Sequence, residues 1–560
     1  MKRAAITIAM SMLTLGASAD NGVSMRSVYR TGDPVPGRPG LEFAGNGGSA
    51  AIGEDGTVLG VALVSGDGIG FLNNTLVCES DGVLTVIGRE SDPVPGLPGW
   101  EFRASSINTA GFYTLNVARD GGIAYVPDLY NTNTGTFGLQ GLWAGPGPAS
   151  SPVLYQTGPA PGFPGQTVAV LESSVVRTNQ SVVAVGRVSS PAADVLWFGS
   201  PGSMTAALQS GLQAPGLPIG VNISNIASDS LCSDGFGNVL FHATLPLGNG
   251  VTQANRVVLY HGPPGNVGVL FRTNDPAPGI PGGVLGAIYD DSLRMNRMGG
   301  LCFQALIAGG GTDEAIISGG GGQFFALARD GQPYPDDPAL TLDRVARSDV
   351  DMNAAGQVAF ACSISGAPFT SDSAILVGGP GGLEVVLREG DPLPGGGVAP
   401  HLAGVWWTIN ERGQIAMVLG VGGESVLYAT RPNGEMVKLA STGEVLTPDD
   451  GPAGLVAAIS FAFQARSGDS GKPAIFNGSG ELVIPIRYSG SGGQGLHVFD
   501  IDDPCPADLA LPFGQLDLAD INAFVTGFTG QTASGDLDGN GLWDLADINA
   551  FVMSFTTGCP

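Results

Sequence analysis

The chain has 560 residues, of which 90 are glycine and 40 are proline, and its 24 basic residues stand against 50 acidic ones, giving a formal net charge of −26. This charge disfavours binding to nucleic acids and to anionic lipid surfaces, because both need clustered lysine and arginine. The glycine and proline content approaches that of disordered chains, but a hydrophobic fraction of 43% argues against disorder and favours many short strands joined by tight turns.

The N-terminus has the three parts of an export signal. A positively charged start is followed by an apolar run over residues 4–15 and by the small-residue cleavage site Ala17-Ser18-Ala19. We therefore expect a signal peptide over residues 1–19 and a secreted mature chain that begins at Asp20. No later stretch reaches eighteen apolar residues, so the sequence predicts no membrane span in the mature chain.

One short stretch recurs along the next 470 or so residues, at intervals of about 53 to 67 residues. Its clearest copies are Arg30-Thr-Gly-Asp-Pro34 and Arg388-Glu-Gly-Asp-Pro392, and six looser copies begin at Arg89, Gln156, Gln209, Arg272, Arg329 and Ser441. A unit of this length is too small to bury a good core alone, so the copies predict an array of eight packed units. The repeated aspartates allow two interpretations, a ring of ligands or a repeated turn. The turn is favoured because Asp-Pro suits turns wherever it occurs.

A second motif, Asn-x-x-Gly followed by alternating apolar residues, recurs in phase with the first. Clear copies begin at Asn296, Asn353 and Asn410, and looser copies centre on Gly56, Gly121, Gln180, Gly237 and Gly471. Asparagine can bond the backbone of its own turn and glycine tolerates positive φ, so each copy predicts a turn that leads into a strand. Together the motifs predict about four strands per unit. The predicted fold is all-β, a β-propeller of about eight four-stranded blades, or seven because the unit near residue 209 is degenerate.

The two ends of the array are predicted to pair with each other. The last unit ends with an apolar strand over residues 495–500, and the first begins with another over residues 23–29. We expect the N-terminal strand to complete the last blade, because this arrangement leaves no open sheet edge. The propeller would then extend over residues 20–502.

The two motifs resemble those of a family of bacterial exported proteins with tandem Asn-x-x-Gly-x-x-Ala-Phe repeats attached to assorted C-terminal anchors. The resemblance covers roughly residues 26–500. It implies an exported repeat protein, and it implies no particular biochemical activity. Gly468-Asp-Ser-Gly471 is similar to the nucleophile segment of trypsin-like proteases, but none of His242, His261, His401 and His497 has the matching setting. We predict no catalytic residues and interpret this segment as the eighth Asn-turn.

Residues 503–560 contain a different motif, duplicated at an offset of 27 residues. Leu518-Ala-Asp-Ile-Asn-Ala-Phe-Val525 recurs as Leu545-Ala-Asp-Ile-Asn-Ala-Phe-Val552. The apolar residues follow helical spacing and predict two short amphipathic helices. The stripes expected to face each other are Ile521, Phe524, Val525 and Phe528 on one helix and Ile548, Phe551, Val552 and Phe555 on the other.

The stretch before the second helix predicts a calcium-binding loop. Positions 1, 3, 5, 7, 9 and 12 of such a loop supply oxygen ligands, and here they are Asp536, Asp538, Asn540, Leu542 through its carbonyl, Asp544 and Asp547. Gly541 at position 6 allows the sharp bend. The stretch from Asp508 to Asp520 has one extra residue and lacks two ligands. We therefore expect one strong Ca²⁺ site and one weak or absent site.

A calcium loop that ends in aspartate, precedes one helix and occurs twice resembles a dockerin module of EF-hand-like type. This resemblance implies a cohesin-like or other cell-surface scaffold protein as the partner of residues 503–560. Cys505 and Cys559 flank the module and are predicted to form a disulfide, similar to that of cysteine-flanked dockerin-like anchors. The remaining four cysteines, Cys78, Cys232, Cys302 and Cys362, are predicted to be buried unpaired thiols.

These features favour an exported, non-catalytic protein that binds or displays an extracellular glycan or protein through its propeller. Its dockerin-like module would tether it to the scaffold partner. One alternative is a propeller enzyme acting on extracellular polysaccharide, because a propeller channel can hold a site that no local motif identifies. A second alternative is a purely structural envelope protein.

Overall fold

The computed structural model describes residues 23–557, apart from 70–72, 104–111, 119, 178–180, 228–230, 235, 310–312, 346–349, 380, 450–453, 461–474, 491–492, 502–506, 508, 510–515, 517, 532–534 and 538–541. The described residues form eight antiparallel sheets, which are the blades of a β-propeller, and two helices near the C-terminus. The predicted all-β propeller is therefore confirmed. The signal peptide and the Cys505–Cys559 disulfide lie outside the described residues. No helix in the described part of the chain has both the length and the apolar character needed to cross a membrane.

Strand β1 (Ser24–Arg30) comes first, and the following strands fill the blades in chain order. Blade 1 contains β2 (Leu41–Ile52), β3 (Val58–Gly66), β4 (Asn73–Ser80) and β5 (Val83–Arg89); blade 2 contains β6 (Trp100–Arg103), β7 (Phe112–Val117), β8 (Gly122–Asn131), β9 (Thr136–Pro146) and β10 (Ser151–Tyr155); blade 3 contains β11 (Val168–Val176), β12 (Val182–Ser189), β13 (Ala192–Gly199) and β14 (Thr205–Gln209); blade 4 contains β15 (Asn225–Ile226), β16 (Cys232–Ser233), β17 (Val239–Thr244), β18 (Val257–Gly262) and β19 (Gly268–Arg272).

The second half of the array repeats the plan. Blade 5 contains β20 (Val284–Ile288), β21 (Arg294–Met295), β22 (Leu301–Ala308), β23 (Asp313–Gly320) and β24 (Gln323–Arg329); blade 6 contains β25 (Pro333–Tyr334), β26 (Asp337–Asp343), β27 (Val350–Met352), β28 (Val358–Ser365), β29 (Ser373–Gly379) and β30 (Gly382–Arg388); blade 7 contains β31 (Trp406–Ile409), β32 (Ile415–Val421), β33 (Glu424–Thr430) and β34 (Met436–Ser441); blade 8 contains β35 (Val445–Leu446), β36 (Gly454–Ile459), β37 (Glu481–Tyr488) and β38 (Gln494–Asp500). The two helices are α1 (Leu518–Gly530) and α2 (Leu545–Thr557).

The N-terminal strand closes the ring, as predicted. β1 pairs antiparallel with β38, with Ser24 opposite Asp500 and Arg30 opposite Gly495, so it forms the outer strand of blade 8. Tyr29 of β1 also reaches blade 1, where its ring stacks on Phe43 and its hydroxyl donates to the Val61 carbonyl at 3.0 Å. The count of eight blades rules out the seven-blade alternative.

Each Arg-x-Gly-Asp-Pro stretch is the turn by which the chain leaves the outer strand of one blade. Each of the eight copies contains one residue with positive φ. It is the third residue in seven copies, at Gly32, Ser91, Gly211, Asn274, Gly331, Gly390 and Gly443, and the second residue, Thr157, in the copy that begins at Gln156. In the four copies that contain Asp-Pro, an Asp side-chain oxygen accepts the backbone N–H three residues earlier at 2.7 to 3.1 Å. Asp33, Asp92, Asp275 and Asp391 are thus used within their own turns, which supports the turn interpretation over a ring of ligands.

The Asn-x-x-Gly turns join neighbouring blades through buried asparagine side chains. Each Oδ1 accepts a backbone N–H four residues later in its own turn, for example from Gln414 to Asn410 at 2.9 Å. The side-chain amides of Asn296, Asn410 and Asn477 also cross to the next blade, whereas that of Asn353 donates to Gln357 in its own turn. Asn410 Nδ2 donates to the Asn477 carbonyl at 2.9 Å, and Asn477 Nδ2 donates to the Gly53 carbonyl at 3.0 Å. Aspartate could form the turn but could not make the crossing bond, because an ionised carboxylate has no donor.

The eighth Asn-turn differs in place from the prediction. Gly471 lies outside the described residues, whereas the turn that leads into β37 begins at Asn477 and ends at Gly480. Asn477 Oδ1 accepts the Ser479 and Glu481 N–H groups at 3.1 and 2.9 Å, the same pattern as in the other copies. The interpretation of Gly468–Gly471 as this turn is therefore wrong.

The four cysteines of the blades are buried thiols that form no disulfide, as predicted. Burial raises the pKa of the Cys78, Cys232 and Cys362 thiols to about 12, and it also raises the pKa of Cys302. The reactive form of cysteine is the thiolate, so these groups are chemically inert at neutral pH. They fill the core as small apolar side chains.

Candidate metal centre

The two C-terminal helices pack through their phenylalanines. The Phe524 and Phe551 rings stack with centroids 4.3 Å apart and planes 9° from parallel, and both side chains are buried. The predicted stripes are only partly correct, because Val525, Val552 and Ile548 are exposed. One residue step turns a helix by about 100°, so a contact centred on each phenylalanine carries the following valine toward solvent.

A buried aspartate in the first turn of each helix anchors the loop before it. Asp547 Oδ1 accepts the Leu537 N–H at 2.8 Å, and its Oδ2 accepts the Asp544 N–H at 2.9 Å. In the first copy, Asp520 Oδ1 accepts the Leu509 N–H at the same 2.8 Å. The duplicated motif therefore gives a duplicated contact, although only the second loop carries the full set of predicted ligands.

The described ligands of the second loop suit a hard cation. Asp536 and Asp547 are both buried, and a buried carboxylate needs hydrogen bonds, an opposite charge or a metal ion. Both oxygens of Asp547 accept a backbone N–H, and such a hydrogen bond does not prevent a carboxylate from also binding an ion, because each carboxylate oxygen can accept more than one contact. Asp544 and Leu542 are exposed, and Asp544 Oδ1 caps the start of α2 through the Ala546 N–H. Asp538, Asn540 and Gly541 lie outside the described residues.

A second group of metal-ligand side chains was not predicted from the sequence. It consists of Asp372, Glu389 and His401, whose ligand atoms all lie within 4.8 Å of one another. Asp372 precedes β29, Glu389 follows β30 and His401 precedes β31. Ala374 pairs with Arg388, so the start of β29 and the end of β30 meet at one edge of blade 6. The connection to blade 7 then brings His401 over that edge.

A hydrogen bond connects His401 to Glu389, and an ion-pair contact connects it to Asp372. His401 Nδ1 lies 3.2 Å from Glu389 Oε2 and 3.5 Å from Asp372 Oδ1. The Ser373 hydroxyl donates to the same Glu389 oxygen at 2.9 Å. Burial acts to raise the pKa of Glu389, but the hydrogen bonds from His401 and Ser373 outweigh it and hold that pKa below its usual value. Glu389 is therefore an anion at neutral pH.

One signal in the sequence could have drawn attention to Glu389. It occupies the second position of the Arg-x-Gly-Asp-Pro stretch, where other copies have Thr31, Ser210, Thr273 and Thr442. The backbone N–H of this residue bonds a carbonyl of the strand that pairs with the outer strand of its blade, as in Thr31 to Gln494, Glu389 to Ser373 and Thr442 to Ser425, so the position lies at the same sheet edge in these copies. Two further copies have the acidic residues Glu90 and Asp330 there, so it is the combination of Glu389 with Asp372 that sets the edge of blade 6 apart.

Comparisons with known proteins identify a family and a set of distant structures. One family model, described as "Family of unknown function (DUF7453)", matches residues 14–377 and 312–501. No curated protein matches the chain. Among solved structures, the chain is similar to a puromycin-hydrolysing peptidase of Mycobacterium tuberculosis, with 12% identity, a TM-score of 0.34, and coverage of 74% of this chain and 56% of the peptidase.

Two further structures have similar scores. The acylaminoacyl peptidase of Pyrococcus horikoshii is 11% identical with a TM-score of 0.34, over 70% of this chain and 52% of the peptidase. An ulvan lyase, from a family of polysaccharide lyases, is 11% identical with a TM-score of 0.30, over 81% of this chain and 93% of the lyase. The chain spans about half the length of the two peptidases. At these scores the likeness has no bearing on activity.

Proposed function

The chain belongs to the DUF7453 family of unknown function, and we propose that it is an exported binding and display protein with a calcium-dependent C-terminal attachment module. In this proposal the eight-bladed propeller carries the surface that meets an extracellular glycan or protein. The dockerin-like module of residues 503–560 holds the propeller to a cohesin-like or other scaffold protein at the cell surface. The observation that carries the proposal is the buried Asp547, which ties the predicted calcium loop to the start of α2.

This contact explains how ion binding would be coupled to helix packing. Bound Ca²⁺ would draw the oxygens of the loop together. Asp547 already connects the loop to the first turn of α2 through the Leu537 and Asp544 N–H groups. α2 in turn packs on α1 through Phe551 and Phe524. A loop that is ordered by an ion therefore stabilises the whole helix pair, because ligand binding to the folded form stabilises that form.

The helix pair also offers a surface for a partner. Six large apolar side chains of α1 and α2 are exposed, namely Leu518, Val525, Leu545, Ile548, Val552 and Met553. Leu518 and Val525 hold the same places in the first motif as Leu545 and Val552 hold in the second. Exposed apolar residues grouped on one small module are typical of a protein-binding surface. Their duplication supports attachment through this module and suits a partner that contacts both helices.

Calcium binding is testable by calorimetric titration of the full mature chain. We expect one strong Ca²⁺ site, and we expect Asp536→Asn to weaken it at least about ten-fold, because the variant removes a charged ligand from the first loop position. Asp508→Asn is the matched control, since it changes the first position of the degenerate loop and should leave the strong site unaltered. The absence of calcium binding to the wild-type chain, or equal affinity in the Asp536→Asn variant, would overturn the assignment.

A further inference from the structure

We propose that Asp372, Glu389 and His401 form a second metal site, which takes a divalent first-row transition ion such as Zn²⁺ and lies on the propeller rather than on the C-terminal module. One imidazole and two carboxylates are ligands typical of zinc, manganese and iron. Calcium is excluded by the chemistry of the set, because it prefers oxygen ligands throughout. In the described part of the chain, this is the only group of three such side chains within reach of one ion.

The distances suit a single ion. His401 Nδ1 lies 3.2 Å from Glu389 Oε2 and 3.5 Å from Asp372 Oδ1. Two ligands that each bind an ion at about 2.1 Å with a tetrahedral angle lie about 3.4 Å apart. Both distances from His401 Nδ1 therefore already match the spacing of ligands on one ion, and the two carboxylate oxygens lie within 4.8 Å of each other. His401 is exposed, so the remaining positions open to solvent, where water or a ligand oxygen can complete the shell.

The charges of the group are incomplete without a cation. Two carboxylates share one imidazole, and neither pairs with lysine or arginine among the described residues. Asp372 Oδ1 is buried and accepts no hydrogen bond. Like charges at this separation repel, and a buried carboxylate oxygen without a donor is costly. A divalent cation would supply both the missing charge and the missing contact.

Ser373 holds all three ligands in place. It follows Asp372 directly in the chain, its hydroxyl donates to Glu389 at 2.9 Å, and its Oγ accepts the N–H of Leu402, the neighbour of His401, at 2.8 Å. Ser373 itself is fully buried. Partners of this kind orient metal ligands, and their loss reduces metal affinity about 10- to 100-fold. Ser373 is thus a positioning residue for the proposed site.

Blade 5 shows what the same sheet edge looks like without these features. Asp330 takes the place of Glu389 there, and its two oxygens accept the Glu314 and Val345 N–H groups at 2.9 and 3.2 Å. The carboxylate is satisfied by the backbone, and no histidine lies beside it among the described residues. The edge of blade 6 therefore differs from that of blade 5, because its ligand atoms are directed at one another.

The test is a calorimetric titration of the full mature chain with Zn²⁺ alone. A second titration uses Ca²⁺ in place of Zn²⁺. We expect one Zn²⁺ per chain at the blade 6 site, retained in Asp536→Asn, so that failure of the calcium proposal would not affect this result. His401→Ala should weaken Zn²⁺ binding at least about ten-fold, and Ser373→Ala should weaken it about 10- to 100-fold with unchanged stoichiometry. His401 is exposed, so its replacement leaves the fold intact.

Two control variants belong with this titration. His261→Ala removes another partly exposed histidine, and Glu384→Gln removes an exposed carboxylate on β30, the strand that Glu389 follows; both should bind Zn²⁺ as the wild type does. The proposal is overturned if the wild-type chain binds no Zn²⁺ or if His401→Ala binds it unchanged. It is also overturned if Ca²⁺ occupies the blade 6 site as tightly as Zn²⁺.

Discussion

A mature chain that lacks residues 20–30 is expected to lose the closed propeller and to unfold or aggregate at room temperature. Without β1, strand β38 becomes a long exposed edge whose unpaired backbone groups can pair with other chains. The deletion also removes Met25, Val28 and Tyr29 from the core. Truncation of one large buried side chain already costs about 3–5 kcal/mol, so the loss of three exceeds what a marginally stable fold tolerates.

Size-exclusion chromatography with thermal melting followed by circular dichroism would measure this effect. A chain truncated after residue 502 is the matched control. This truncation removes a segment of the other terminus and should leave the melting temperature of the propeller unchanged. A milder variant, Tyr29→Phe, keeps the stacking on Phe43 but removes the donor to Val61, and should cost about 1–2 kcal/mol. A monomeric, cooperatively melting deletion variant would contradict the closure that we describe.

Asn477→Asp is expected to destabilise the propeller by about 3 kcal/mol or more at neutral pH. The Asn477 amide donates to the Gly53 carbonyl at 3.0 Å and to Glu481 Oε2 at 2.9 Å. A carboxylate at this buried place would replace both donors with acceptors and face the charge of Glu481 directly. Removing one partner of a buried polar contact and adding an unpaired charge are each strongly destabilising.

The pH dependence of the stability of Asn477→Asp distinguishes destabilisation by the buried charge from a general failure to fold. As the pH falls, the new buried carboxyl takes up a proton and can donate again, so the deficit relative to the wild type should shrink. Asn433→Asp is the control: Asn433 Oδ1 accepts the Glu435 N–H at 2.9 Å, a bond that an aspartate also makes, so the change should be within about 0.5 kcal/mol. Chemical denaturation of both variants at two pH values measures the difference. If Asn477→Asp were as stable as the wild type at neutral pH, the bond from Asn477 to the Gly53 carbonyl would not hold the two blades together.

The sequence was sufficient for the architecture because the fold repeats. Eight copies of one turn and several of another predicted the blades, and the apolar strands at the two ends predicted the closure that β1 and β38 make. The eighth Asn-turn was misplaced because a long segment separates β36 from Asn477, whereas β31 runs directly into Asn410.

The metal ligands of blade 6 could not be predicted in the same way. Asp372 lies in the connection before β29, Glu389 and His401 lie in the connection between β30 and β31, and only the pairing of β29 with β30 brings Asp372 and Glu389 together. No local pattern records such a contact. A calcium loop could be predicted at residues 536–547 because its candidate ligands follow one another at fixed spacing in the sequence. The exposed valines of the two helices were missed because periodicity gives the width of an apolar stripe only roughly.

Amide hydrogen exchange of the full mature chain, measured with Ca²⁺ and with a calcium chelator, tests the proposed attachment module most directly. We predict that Ca²⁺ slows exchange in the loop from Asp536 and throughout α2, that the effect reaches α1 through the Phe524–Phe551 contact, and that Asp536→Asn abolishes it. Exchange in the eight blades should be the same in both conditions. Identical exchange of α2 with and without calcium, or protection that appears in the blades instead, would contradict the account.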